Sequence, residues 1–85
     1  MIEGKTYVIK QNGMPIVPVH PSDVNRKNVA EMIAQVSRPQ AGDKVTCIDK
    51  RSDKHGWFYK VETKDGEGWL SGVALLKYDY EEEDA

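Results

Sequence analysis

From Gly42 to Leu70 every β-favouring run is short and closes on a glycine-bearing turn, which leaves little besides a small antiparallel β fold open to the chain. In "GDKVTCIDK", Val45 and Cys47 fall on one face of an extended segment and Thr46 and Ile48 on the other. The polar stretch "RSDKHG" reads as a turn. "WFYKVET" then sets Trp57, Tyr59 and Val61 against Phe58, Lys60 and Glu62, and the Asp-Gly of "KDGEG" predicts a hairpin. "GWLSGVALLKY" starts as a short strand, turns at Ser71-Gly72 and ends in apolar Val73, Leu75 and Leu76. Strands this short and this closely spaced predict a small barrel.

The amino-terminal half is less regular. "KTYVIK" is rich in β-branched and aromatic residues and predicts a first strand, and Asn12-Gly13 predicts the turn after it. Pro15, Pro18 and Pro21 follow at intervals of three. Each removes a backbone donor, so this stretch is an edge or an extended, polyproline-like loop and not a central strand. "DVNRKNVAEMIAQVSRP" carries two patterns. Val29, Met32, Ile33 and Val36 have helical spacing, and Asn28 with Glu31 imitates a capping box. Met32, Ala34 and Val36 also alternate as a strand would.

A chain of 85 residues is one domain, and at this size only about 60–65% of the unfolded surface is buried. Mean hydropathy is -0.64, and no run approaches the roughly 18 apolar residues of a membrane span. "MIEGKTYVIK" has neither the apolar core nor the cleavage site of a signal peptide. The single Cys47, inside the apolar "VTCI", predicts a buried thiol and no internal disulfide. Together these predict a cytoplasmic protein. Residues 77–85, "KYDYEEEDA", carry one lysine and five acids and predict a solvated, disordered acidic tail. The remainder has eleven bases against nine acids, too little positive charge to hold a phosphate backbone.

No catalytic set is visible. Nucleophilic catalysis needs a Ser or Cys with a base and an orienting group, and the only cysteine lies in an apolar strand. His20 among the prolines and His55 in a turn have no metal-ligand partner at useful spacing. "DGEG" lacks the length and following helix of a phosphate cradle. The expectation is a non-enzyme with no cofactor and no metal.

"AGDKVTCID", "GWFYKV", "DGEGWLSG" and "VALL", in that order and spacing, resemble the bacterial Src-homology-3-like (SH3-like) domain family. The likeness covers about half the chain well, and "TYVIKQNGMPIV" fits its first strand more loosely. The resemblance implies a mostly β, strongly bent barrel of five to six strands over residues 1–76. A loop insertion spans about 15–31, and Met32–Val36 becomes a strand after at most one short helical turn. The arginine-glycine-proline turn usual in that family is missing.

Both tryptophans sit on one apparent hairpin, each directly after a glycine. So small a barrel cannot hide every large ring on both faces of its strands. If Tyr59 and Val61 point inward, Phe58 points outward. The candidate partner-binding residues are therefore Trp57, Phe58 and Trp69, with Tyr78 and Tyr80 of the acidic end and His20 and Arg26 of the Pro-rich loop. A protein partner is the leading expectation, with the chain as a small adaptor or inhibitor of a host protein, of bacterial or phage origin. Peptidoglycan, the commonest partner in the resembling family, is the alternative. Stacking on single-stranded nucleic acid comes third.

Overall fold

Alternation of β-branched and aromatic residues with polar ones produces strands in the order anticipated. β1 is Thr6–Ile9, β2 Lys44–Asp53, β3 Gly56–Thr63, β4 Gly66–Ser71 and β5 Tyr80–Glu82. Two short helices, α1 (Val29–Ala34) and α2 (Gly72–Lys77), and a 3-10 turn at Pro21–Asp23 complete the chain. The computed structural model describes residues 1–54 and 56–83. His55, expected in a turn, and the last two residues of the acidic end lie outside the described residues.

All neighbouring strands are antiparallel, in the order β4-β3-β2-β1-β5. Where a barrel was expected, the five strands form one sheet, and among the described residues no strand pairing joins β4 to β5. A register shift between Cys47 and Asp49 bulges β2, which bends the sheet there. The hairpin between β3 and β4 closes where expected, with Gly66 at φ +119 and the Thr63 hydroxyl donating to the Gly66 carbonyl. The free edge of β4 is met at one point by the Pro-rich segment. Val17 and Trp69 exchange both backbone hydrogen bonds, at 3.0 and 2.7 Å. Proline-rich chain can pair this way only at an edge, because Pro18 has no N–H to extend the ladder.

The core lies against one face of the sheet. Tyr7, Ile9, Met14, Ile16, Val45, Cys47, Val61, Leu70 and Ala74 are buried there. At roughly 1.5–3 kcal/mol per fully buried aliphatic side chain, this cluster is the main favourable contribution to folding. Gly68 of β4 permits the approach of the Pro-rich segment. A Cβ at that position would meet Ile16 Cγ2 at 2.5 Å and the Val17 carbonyl oxygen at 3.0 Å.

Two segments differ from expectation. The strand predicted over Met32–Val36 is instead the helix α1, followed by a single bridge from Ser37 to Ile16. With no sheet edge alongside it, the segment keeps its local helical preference. The predicted capping box does not form, because the Asn28 carboxamide oxygen accepts from the Asn25 N–H at 2.7 Å. At the other end of the chain, Tyr80–Glu82 was expected as disordered tail and forms β5 against β1. Lys10, Lys5 and Lys44 are ion-paired with Glu81, Glu82 and Glu83. The mutual repulsion of the acidic run is thereby offset across the sheet. Among the described residues no helix is long and apolar enough to cross a membrane.

Candidate functional site

β3 hides large side chains on both faces, and a different element covers each. Val61 faces the main core. Phe58 points to the opposite face, as alternation requires, yet it is only 7% exposed. The Pro-rich segment crosses that face and lays His20 against it. The His20 ring centroid is 4.8 Å from Phe58 and 4.9 Å from Trp69, edge-on to both. Such T-shaped contacts favour the ring quadrupoles as well as burial. Phe58 and His20 (1% exposed) were expected as contact residues, and they are instead the centre of a second, smaller core. Trp69 is half-buried beside them, with Lys60 Nζ 6.0 Å from its ring centroid.

Polar bonds fix the segment in place. The Ser22 N–H donates to His20 Nδ1 at 3.1 Å, so a neutral His20 carries its proton on Nε2, which faces Asp53 Oδ2 at 3.6 Å. The Ser22 hydroxyl donates to the same Asp53 oxygen at 2.5 Å, and Arg51 pairs with Asp23 at 3.1 Å. Serine, histidine and aspartate thus meet, but the hydroxyl is bonded to the carboxylate and the imidazole accepts from the serine backbone. Among the described residues, Ser22 does not meet the imidazole in the order hydroxyl to imidazole to carboxylate that activates a nucleophile.

Trp57 is the ring left open, 50% exposed at the start of β3. It stacks on half-buried Tyr59, with centroids 6.5 Å apart and an interplanar angle of 19°. Lys50 Nζ lies 5.7 Å from its centroid, within cation–π range. α2 starts directly beside it, and a Cβ on Gly72 would lie 3.2 Å from the Trp57 carbonyl oxygen. The Ser71 hydroxyl caps this helix by accepting from the Val73 N–H at 3.1 Å. α2 turns Ala74 and Leu75 toward the core and presents Val73 (57% exposed) and Leu76 (87% exposed) to solvent. Lys77 is four residues from Val73 and so shares that face. The start of α2 thus lies against exposed Trp57, and the helix carries exposed Val73 and Leu76 with Lys77 on one face, while Lys50 lies over the indole.

The remaining candidates are elsewhere. Tyr78 and Tyr80 pack on the edge of the main core, and Tyr80 lies edge-on to Tyr7 at 5.6 Å. Burial, then the neighbouring Tyr7 and Tyr59, raises the Tyr80 phenol above its ordinary pKa. Arg26 is exposed in the loop after the 3-10 turn. The buried Cys47 thiol is likewise raised, chiefly by desolvation. The residues missed from the sequence are Lys50, Val73, Leu76 and Lys77. Their only signal was the helical spacing of Val73, Leu76 and Lys77, which six residues of helix barely display.

A cavity of about 200 Å³ lies between Ile16–Pro18 and the tip of the β3–β4 hairpin, with Asp65 and Glu67 on its wall. It is smaller than the roughly 300–1,000 Å³ of small-molecule sites. Among the described residues no group of three or more His, Cys, Asp or Glu side chains is placed to hold a metal ion. No protein-family model matches the chain, no curated protein matches it, and no solved structure matches it.

Proposed function

We propose that the chain is a non-catalytic protein-binding module of the SH3-like class, acting as an adaptor or modulator through the surface of Trp57 and α2. The observation that carries this reading is the exposure of Trp57. The same chain covers Phe58 and His20 with a dedicated loop and leaves Trp57 uncovered. Half-exposure of an indole forgoes on the order of 2 kcal/mol of burial, a cost that an interface recovers. Tryptophan anchors are among the residues that dominate binding energy, each typically contributing about 2 kcal/mol or more. The order of the sequence motifs, the bent five-stranded antiparallel sheet and the contact of Val17 with β4 support the fold assignment.

The test is affinity capture from bacterial lysate with wild-type protein and with Trp57→Ala. A protein retained in stoichiometric amount by the wild type and lost with the folded variant supports the reading. Equal capture by both, or capture of no protein, counts against it. Parallel sedimentation with purified cell walls separates a protein partner from peptidoglycan.

A further inference from the structure

Six bases of the chain, Lys5, Lys10, Lys44, Lys60, Lys64 and Arg51, are each ion-paired with a carboxylate. Five of the six are lysines paired with acids of the β5 end, of Glu67 beside the cavity or of Asp43, all away from Trp57. Two of the bases outside these pairs, Lys50 and Lys77, lie at the Trp57 surface. Lys50 lies over the indole and Lys77 ends the exposed face of α2, and neither meets a carboxylate among the described residues. Lys77 also lies at the carbonyl end of α2, where a cation is favoured in place. Between the two lysines lie the exposed apolar side chains of Trp57, on β3, and of Val73 and Leu76, on α2.

We infer that this surface takes an acidic amphipathic protein segment, one apolar side chain seated on Trp57 and Val73–Leu76 and flanking carboxylates on Lys50 and Lys77. The inference rests on the protein-binding reading and adds the chemistry of the partner. Charge complementarity of this kind steers encounter and sets orientation, while the apolar anchor supplies most of the affinity. A nucleic acid is the less suited occupant. A base can stack on Trp57, but Val73 and Leu76 offer nothing to a polynucleotide, and two lysines neutralise few phosphates. A second copy of the chain is disfavoured as well, since a symmetric contact would set lysine against lysine.

The experiment uses the full chain labelled with nitrogen-15 and three probes. Two are synthetic amphipathic peptides with identical apolar positions, one bearing glutamate and one lysine at every polar position. The third is a single-stranded oligothymidylate. The glutamate peptide is expected to saturate the protein at low salt, shifting the amides of Lys50, Trp57, Val73, Leu76 and Lys77. The lysine peptide should bind about tenfold more weakly or worse. The double variant Lys50→Glu with Lys77→Glu should reverse that preference while keeping the wild-type spectrum elsewhere. Equal binding of the two peptides at this surface overturns the acidic partner and leaves the protein-binding reading standing. Tighter binding of oligothymidylate overturns both. Binding of no probe at millimolar concentration, or self-association through this surface in sedimentation equilibrium, also overturns the inference.

Discussion

His20 stands edge-on to Trp69, ring centroids 4.9 Å apart and planes at 89°, and this contact seals the outer face of the β3–β4 hairpin beneath the Pro-rich segment. It separates the two tryptophans by role. Trp69 belongs to a small core closed by His20, while Trp57 stays open beside α2. Three measurements follow from that division, and a fourth tests the ionisable groups.

His20→Ala removes the ring that joins Phe58 and Trp69 and the acceptor of the Ser22 N–H. Truncating a buried ring and leaving a cavity is expected to cost about 2–4 kcal/mol. Urea denaturation measures the loss. Wild-type stability in the variant would mean that the segment is not anchored here.

Gly68→Ala places a methyl group 2.5 Å from Ile16 Cγ2 and against the Val17 carbonyl. Either the Val17–Trp69 bridge opens or Ile16 leaves its rotamer, at a cost of about 1–3 kcal/mol. The amide of Trp69 should then lose protection in hydrogen exchange.

Trp57→Ala and Leu70→Ala test the difference between an exposed and an enclosed apolar side chain. Leu70 is fully buried, and its truncation is expected to cost about 2–5 kcal/mol. Trp57→Ala should cost less, about 1–2 kcal/mol, the loss of its half-buried area with the stacking on Tyr59 and the Lys50 contact. Equal losses by urea denaturation would contradict the placement of Trp57.

Stability should fall at both ends of the pH scale for different reasons. Cys47 and Tyr80 have folded-state pKa values raised by burial, so their contribution is full below the unfolded values. It is lost as pH climbs past the ordinary thiol and phenol range, about 8.5 to 10. Asp43 is lowered, chiefly by accepting the Gln40 N–H at 2.9 Å; desolvation opposes this next, and Lys64 adds smaller lowering contributions. Its contribution is present above the ordinary carboxylate range and disappears as pH falls through the folded value. Thermal melts across pH measure both limbs, and Asp43→Asn should flatten the acid one. Cys47 should resist thiol reagents until the protein is unfolded.

Much of this arrangement is legible in the sequence. The alternation in "VTCI" and "WFYKV" places Val45, Cys47 and Val61 inside and sets Phe58 on the other face, and Asp-Gly marks the hairpin between β3 and β4. What alternation does not reveal is that a second layer covers Phe58. That depends on where the chain returns after its prolines, a tertiary fact with no local signature. The same holds for β5. "EEED" has the composition of a disordered tail, and its lysine partners lie across the sheet on β2 and around β1. α1 shows the reverse case, where local helical spacing prevailed because no strand lay alongside. The contact surface was half visible. Trp57 stood out by type, whereas the sequence shows Val73 and Leu76 only as apolar residues after a turn and does not say which way α2 turns them.

The most direct measurement is fluorine NMR of the chain carrying 5-fluorotryptophan at both indoles, titrated with the glutamate peptide. The Trp57 resonance should show the larger solvent isotope shift in the free monomer and should move on binding, while the Trp69 resonance stays in place. Two solvent-shielded indoles in the free protein, or movement confined to Trp69, would contradict the account.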